Sequence, residues 1–371
     1  MNILWMNWRD IKHPRKGGAE VLTFGIFKRL VDRGHRVTWF TGAFPGGADS
    51  EVIDGVNVVR RGTALTVRAH AYGYYRETND LDVVVDEVNT LPFMTPVYSH
   101  TPVVACIHQL AREIWHYEAA PGIAHVGYAL EPWYLRPYRR VPTLTLSASS
   151  ESSLRREMGF TGRIGIMPLA IDQYPAQSPL PLHQRDDTIV SLGRVTRSKR
   201  LDQQIEALAL LRTPPYDRLR LQIIGGGTDE MRKSLRALAQ RLGVQDRVEW
   251  PGFVSETEKR RLLAAAKLLV MTSVREGWGL AVSEANLAGT PAVGYRVLGL
   301  KDSIKDGLTG LLTEESPSAL AQGIQQMLDD EARYARIAQA AQDDARGLTW
   351  ESTTSFVERF LRDSAGGSGH D

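Results

Sequence analysis

The chain has 371 residues, of which 43% are hydrophobic and 24% are charged, and its formal net charge is +2. This length exceeds the usual size of one hydrophobic core, so two domains are expected. The near-neutral charge argues against a nucleic-acid-binding protein, in which a basic face would dominate.

Short apolar runs alternate with helical patterns along the first half of the chain. The runs predict strands at residues 3–6, 37–41, 56–60, 81–86, 103–107 and 143–147. Between the first two strands, apolar residues at helical spacing predict a helix from Ala19 to about Val31, which Gly34 ends. Continuous apolar runs of this kind are typical of parallel strands that are covered on both faces.

The second half of the chain repeats this plan, with strands predicted at 189–192, 219–224, 248–250, 268–272 and 292–295. The intervening residues 171–187 contain three prolines, which break regular structure and predict a linker. A final helix is predicted at about 352–362, and residues 366–371 have the composition of a frayed tail.

These elements predict an α/β protein with two doubly wound, Rossmann-like domains that face each other across a cleft. The predicted domains are 1–170 and 188–351, joined by the linker 171–187, and the C-terminal segment 352–371 could pack back on the first domain. Ligands of such sheets lie beyond the carboxyl ends of the strands, where helix N-termini present free N–H groups. Four segments of interest fall at such positions.

The first segment is the pair Gly17-Gly18, between the first strand and the first helix. Paired glycines let the backbone approach a ligand closely, and the start of a helix favours an anion. A tight turn without a ligand explains the same residues, and the pair alone does not decide between the two.

The second segment, 191–200, carries the cations Arg194, Arg197, Lys199 and Arg200 beyond a predicted strand. Fixed cations stabilise the charge that develops on a diphosphate leaving group. Arginine chelates phosphate oxygens and lysine acts as a point charge. A solvated basic turn is the alternative, but cations oppose the dipole of a helix N-terminus, so a bound anion explains them better.

The third segment runs from Glu276 to Glu284. Its glycines free the backbone around Gly277, Gly279 and Leu280 to meet phosphate or sugar oxygens. Ionised carboxylates only accept hydrogen bonds, which suits both glutamates to paired hydroxyls of a sugar or a ribose. Alternatively, the first glutamate caps the helix and the second is solvated, although the helix reads as mostly buried and a lone glutamate there needs a partner.

The fourth segment is His108, which follows the strand 103–107. Its imidazole could bond a sugar hydroxyl or steady charge near a reacting carbon, or it could simply be satisfied by local backbone. Two glycine segments, at Gly225 and at Gly252-Phe253-Val254, also follow strands and suit close approach to a nucleotide. The loop at Gly225 lacks the spacing of a nicotinamide-binding fingerprint.

Together these residues resemble the family-4 retaining glycosyltransferases of the GT-B fold over nearly the whole chain. The resemblance is carried by E-G-W-G-L-A-V-S-E, from Glu276 to Glu284, and by G-R-x-x-x-x-K, from Gly193 to Lys199. It implies that Arg194 and Lys199 hold the diphosphate of a nucleotide-sugar donor. It also implies that Glu276 binds hydroxyls of the donor sugar and that Glu284 binds the ribose.

The resemblance gives roles to the remaining candidates. It implies that His108 contacts the sugar, that the backbone of Val254 meets the base, and that Gly17-Gly18 lies near the phosphate and the acceptor. It further implies transfer of a hexose-type sugar with retention, with no cofactor and no metal, because the cations replace a metal ion. UDP is favoured over GDP, and the expected acceptor is a hydroxyl of a glycan, a lipid-linked sugar or a small molecule.

The chain departs from the family at two places. Leu169-Ala170 stands where many relatives carry asparagine and glycine, and residues 295–301 replace a glycine-rich turn, which leaves the donor preference open. The segments 68–76 and 131–140 mix aromatics with arginines, which suits a sugar, an anion or an anionic lipid surface, or else half-buried packing.

Two other functions stay open: a catalytically silent, nucleotide-sugar-binding partner and an NAD-dependent oxidoreductase. The complete set of cations and glutamates counts against the first, and the missing dinucleotide fingerprint counts against the second. The start of the chain shows no signal peptide and no apolar run spans a bilayer, so we expect a cytoplasmic protein, with peripheral contact at the inner membrane face left open. The single cysteine, Cys106, excludes an intramolecular disulfide and a cysteine-rich metal site.

Overall fold

The computed structural model describes residues 1–175 and 178–366 of the chain, so residues 176–177 of the predicted linker and 367–371 of the predicted tail 366–371 lie outside the described residues. The chain divides into two compact units. Unit 1 consists of 1–112, 126–170 and 349–371, and unit 2 consists of 113–125 and 171–348. Residues 113–125 therefore lie in unit 2, although they precede the predicted boundary at residue 170.

Unit 1 is built on one eight-stranded sheet, in the order β3-β4-β2-β1-β5-β6-β7-β8. Its strands are β1 Asn2–Met6, β2 Arg36–Thr41, β3 Ser50–Ile53, β4 Val56–Arg60, β5 Val83–Glu87, β6 Val103–Cys106, β7 Thr143–Thr145 and β8 Ile164–Ile166. All pairs are parallel except β3 with β4. Its helices are α1 Gly18–Asp32, α2 Val67–Glu77, α3 Thr95–Tyr98, α6 Ala148–Met158 and α14 Trp350–Gly366. Helix α5 Pro121–Tyr134 begins in unit 2, and its residues from 126 onward belong to unit 1.

Unit 2 has a six-stranded parallel sheet, in the order β11-β10-β9-β12-β13-β14. The strands are β9 Asp186–Leu192, β10 Arg220–Ile224, β11 Val248–Gly252, β12 Ala266–Met271, β13 Ala292–Tyr295 and β14 Gly310–Thr313. The helices are α4 Ile114–Glu118, α7 Leu201–Leu210, α8 Asp229–Arg241, α9 Glu256–Ala265, α10 Leu280–Leu287, α11 Leu300–Ser303, α12 Pro317–Leu328 and α13 Glu331–Arg346. Short 3₁₀ turns lie at Arg136–Tyr138, Leu182–Gln184, Arg197–Lys199 and Gln245–Arg247.

The predicted fold class is confirmed, since both units are doubly wound α/β structures. The strands form where the sequence has continuous apolar runs, because both faces of each sheet are covered. Every residue of β5 is buried, and Ile3 to Met6 of β1 have no exposed surface. Three strands were not predicted, namely β3, β8 and β14. Each is short and has at least two residues that are not buried, so none of them forms a continuous apolar run.

The C-terminal helix α14 packs on α1 within unit 1. The ring of Trp350 lies against Gly25, where an added Cβ would come within 2.1 Å of the ring. Arg33 pairs with Glu351 at 2.6 Å and with Glu358 at 2.7 Å. In the described part of the chain, no helix is long and apolar enough to cross a membrane.

Candidate functional site

Three strands of unit 2 end together in glycine turns. The N–H of Gly193, after β9, donates to the carbonyl of Ile224 at 3.0 Å, and the N–H of Gly225 donates to the carbonyl of Gly252 at 2.9 Å. A Cβ at Gly225 would lie 1.9 Å from the oxygen of Gly193, and its φ is +136°. Only glycine fits there, so the turns stay close together and leave the edge of the sheet open to a ligand.

The topological switch point of unit 2 lies at these C-terminal ends of the strands. Strand β9 lies between β10 and β12, so the chain adds β10 and β11 on one side of β9 and then β12, β13 and β14 on the other. A small cavity lies at this point, and its lining includes Gly193, Arg194, Lys199, Thr272 and Ser273. Open α/β sheets bind ligands at such crevices.

The basic segment after β9 is divided in the structure. Arg200 is 7% exposed and points inward, where its guanidinium donates to the carbonyl oxygens of Thr272 at 2.7 Å and Ser273 at 3.0 Å. Arg194 is exposed and forms no hydrogen bond or ion pair within residues 1–175 and 178–366. One arginine therefore fixes the loop, and the other is available to an anion.

Lys199 and Glu276 meet at the same edge, although they are 77 residues apart in the chain. Their side chains form an ion pair and are 22% and 14% exposed. The Oγ of Ser273 donates to the same carboxylate at 2.6 Å, and the Oγ1 of Thr272 donates to the carbonyl of Lys199 at 2.7 Å. The pair is thus held from both sides at the end of β12.

The backbone after Glu276 has free donors. Among the residues that the structure describes, the N–H groups of Gly277, Trp278 and Gly279 have no acceptor. Gly279 has φ +96° and precedes the first residue of α10, Leu280. The loop is pinned by the indole of Trp278, which donates to the Oγ of Ser283 at 2.9 Å. Free N–H groups before a helix favour an anionic or hydroxyl-bearing ligand.

Glu284 lies on α10 and has a partner that the sequence analysis missed. The Nζ of Lys259, on α9, lies 2.8 Å from Oε1 of Glu284, and also 2.8 Å from the carboxylate of Glu256. Burial raises the pKa of Glu284, and the lysine beside it offsets part of that rise. A lysine on the neighbouring helix gives no signal in the sequence, because the two residues meet only when the helices pack.

Val254 and Gly225 take their predicted places beyond β11 and β10. Val254 packs partly against the core of unit 2, while the preceding Phe253 is 85% exposed. The ring of Phe253 lies against Gly226, where an added Cβ would come within 2.1 Å of it. An exposed aromatic ring and open glycine backbone thus adjoin each other at this edge.

Gly17, Gly18 and His108 belong to unit 1 rather than unit 2. The N–H of Gly17 donates to the carboxylate of Glu20 at 2.6 Å, which closes the start of α1, and Arg9 bonds the same glutamate at 2.9 Å. His108 follows β6, and burial lowers its pKa to about 4, so its imidazole is neutral near pH 7. Its Nε2 lies 3.4 Å from the Sγ of Cys106.

Two family models match consecutive parts of the chain. The model described as Glycosyltransferase Family 4 matches residues 16–173, and the model described as Glycosyl transferases group 1 matches residues 175–344. Among curated proteins, the D-inositol 3-phosphate glycosyltransferase of Corynebacterium aurimucosum is 33% identical over 195 residues, which cover 51% of this chain and 45% of that protein. The enzyme of the same name from Streptomyces coelicolor is 28% identical over 250 residues, covering 65% of this chain and 50% of that protein. The chain thus spans about half the length of these relatives.

Solved structures share the fold over almost the whole chain. Sucrose-phosphate synthase from Thermosynechococcus elongatus has a TM-score of 0.81 at 20% identity, and 98% of each chain is covered. HepE of Anabaena, solved with UDP and glucose, has a TM-score of 0.71 at 21% identity, with 98% of this chain and all of that chain covered. WaaG, described as a glycosyltransferase involved in lipopolysaccharide biosynthesis, has a TM-score of 0.76 at 19% identity, with 99% and 100% covered. At these identities the likeness shows the fold alone.

Proposed function

This chain belongs to the family-4, group 1 glycosyltransferases, and on that premise we propose that it transfers a hexose-type sugar, with retention, from a nucleoside diphosphate sugar to a hydroxyl acceptor. The observation that carries the proposal is the arrangement at the switch point of unit 2. There Arg194 is unpaired within the described residues, next to the Lys199–Glu276 pair and the donors of the loop 277–279.

The donor diphosphate would bind Arg194 and Lys199. Arg194 is exposed and can chelate phosphate oxygens, while Lys199 supplies a point charge. Both cations stabilise the charge that the leaving nucleotide gains as the glycosidic bond breaks. We assign catalysis to these two residues together with Glu276 and His108.

The two glutamates would read the hydroxyl groups of the donor. Glu276 would accept from hydroxyls of the transferred sugar, with Gly277, Gly279 and Leu280 donating from the backbone. Glu284 would accept from the ribose through its second oxygen, since Lys259 occupies the first. Val254 and Gly225 would place the base through their backbone, and Gly17-Gly18 would contribute from unit 1 near the phosphate and the acceptor.

The proposed donor is UDP-hexose in preference to the GDP form. HepE, which shares the fold and is 21% identical to this chain, was solved with UDP-glucose and also with UDP and glucose. The name of the D-inositol 3-phosphate glycosyltransferases supports a hydroxyl on a small molecule as the acceptor class. We propose a cytoplasmic enzyme that acts without a cofactor.

The proposed chemistry is a front-face displacement through an oxocarbenium-like state. The acceptor oxygen bonds the anomeric carbon on the face that the phosphate leaves, and the departing phosphate takes the proton of the acceptor hydroxyl. Neutral His108 would hydrogen-bond a hydroxyl of the sugar. A sugar adduct trapped on Glu276 would contradict this path.

Thermal unfolding with UDP, GDP, ADP and dTDP tests the donor site. A nucleotide at a hundred times its dissociation constant should stabilise the protein by about 2.7 kcal/mol. Arg194→Ala should abolish this shift, whereas Arg197→Ala, at an exposed arginine of the same loop, should retain it. Glu284→Gln should likewise lose the shift, whereas Glu256→Gln, at the other partner of Lys259, should keep it. If no nucleotide stabilises the wild type, or if the matched controls fail with the site variants, the proposal is wrong.

A further inference from the structure

A row of apolar side chains is exposed along helix α5. Val126, Leu130 and Trp133 are 57%, 48% and 69% exposed. They are four and three residues apart, so they lie on one face of the helix. Single exposed apolar residues are ordinary, but three on one helix face form a continuous patch that marks an interaction surface.

The same helix keeps its only acidic residue away from this face. Glu131 is 2% exposed, and its carboxylate accepts the backbone N–H groups of Ala111 and Arg112, both at 2.7 Å. The O–H of Tyr134 donates to the carbonyl of Thr90 at 2.8 Å and anchors the end of the helix. The exposed face of α5 therefore carries no carboxylate.

A side-chain hydrogen bond from Arg112 lets helix α5 continue through Pro132 to Trp133. Proline has no N–H, so the carbonyl of Tyr128, one turn earlier, loses its helical donor. The guanidinium of Arg112 replaces it, donating to that carbonyl at 3.2 Å while lying 3.9 Å from the centroid of the Tyr128 ring. The tryptophan is thus held at the exposed end of a regular helix.

Two cations follow the helix directly. Arg136 and Arg140 are exposed, and their side chains form no hydrogen bond or ion pair with any residue that the structure describes. Arg139, between them, is half-buried and donates to the carbonyl of Met158 at 2.6 Å. An uncompensated positive charge therefore borders the apolar row.

We propose that the α5 patch, formed by Val126, Leu130, Trp133, Arg136 and Arg140, docks the protein on an anionic lipid surface. An apolar helix face with a terminal tryptophan and flanking arginines fits the boundary between lipid headgroups and acyl chains. The charge of the patch is complementary to anionic headgroups, since its arginines are unpaired and its carboxylate is turned inward. The proposal is independent of the donor site in unit 2.

Vesicle sedimentation with the full chain tests the proposal. The wild type should bind vesicles that contain phosphatidylglycerol more tightly than vesicles of phosphatidylcholine alone, and added salt should weaken the binding. The triple variant Val126→Ser, Leu130→Ser and Trp133→Ser should lose binding to both kinds of vesicle. Replacing Arg136 and Arg140 by glutamine should weaken binding to the anionic vesicles about 30-fold, because each surface arginine contributes roughly 1 kcal/mol.

Leu65→Ser is the matched control, because Leu65 is 90% exposed in the same unit but lies outside the patch. It should bind vesicles as the wild type does, and all variants should keep the wild-type melting temperature, since the changed residues are exposed. Failure of the wild type to bind anionic vesicles would overturn the proposal. So would equal loss in the control, or a wild-type dimer in light scattering that the triple variant alone abolishes, because the patch would then be a contact between copies of the chain.

Discussion

Replacing Lys259 by methionine is expected to leave Glu284 without the cation that holds it. The two side chains are 16% and 26% exposed and their charged atoms lie 2.8 Å apart. Breaking a fully buried ion pair costs about 3–5 kcal/mol, whereas an exposed pair is worth less than about 1 kcal/mol. For this partly buried pair we expect the free energy of unfolding to fall by about 1–3 kcal/mol.

The loss should depend on pH in a defined direction. Burial already raises the pKa of Glu284, so the folded state binds its proton more tightly than the unfolded state does. Such a group lowers stability as the pH rises from the unfolded pKa through the folded one. Without Lys259 the folded pKa rises further, so the variant should differ little from the wild type near pH 4.5 and more at pH 8. The other charges near Glu284, on Glu256 and Asp172, also raise its pKa and act in the same direction.

The variant should also bind the donor less well, because a further rise in the pKa of Glu284 lowers the negative charge that its carboxylate offers to the ribose hydroxyls. A hydrogen bond to a charged group is worth about 1.5–3 kcal/mol, so the KM for the nucleotide sugar should rise at least about tenfold while kcat changes less. Lys259→Arg should restore both stability and KM. Equal stability of the methionine variant and the wild type from pH 5 to 8, with unchanged KM, would refute the reasoning.

Three further predictions concern the fold and the metal requirement. Gly25→Ala should lower the free energy of unfolding by about 1–2 kcal/mol, because the new Cβ would lie 2.1 Å from the ring of Trp350 and this overpacking exceeds the gain in helix propensity. Adding Trp350→Ala should remove that extra cost, and additive losses in chemical denaturation would contradict the contact. Hydrogen bonds from Arg362, His35 and Arg33 lower the pKa of Glu358 to about 2, so Glu358→Gln should lower the free energy of unfolding by about 1–2 kcal/mol near pH 7. This difference from the wild type should vanish as the pH falls through 4.5 toward 2, and a difference that is the same at pH 3 would count against these bonds. Sugar transfer should persist in excess EDTA, and a complete loss that Mg²⁺ or Mn²⁺ restores would show that the cations at the switch point do not replace a metal.

The sequence determined the fold class because burial on both faces of a parallel sheet leaves long apolar runs. Strands β1, β4 and β13 were predicted within one residue of their bounds for this reason. Strand β3 escaped prediction because it is short and alternates between exposed and half-buried residues, and it becomes a strand only by pairing with β4. The sequence also indicated a helix after the glycine-rich loop, where α10 lies, and an anion site at the cations after β9, since glycine-rich loops and charge clusters are local features.

The tertiary structure alone decided how these candidates combine. The local sequence does not distinguish Arg194 from Arg200, since both are cations in one basic loop. Hydrogen bonds to the carbonyls of Thr272 and Ser273 hold Arg200 inside the fold, whereas Arg194 stays exposed. Lys199 reaches Glu276 across 77 residues because β9 and β12 are neighbours in the sheet, an order that no local pattern records. The sequence thus supplied the residue types, and strand order and helix packing set their distances, because contacts between remote segments depend on how the whole sheet is assembled.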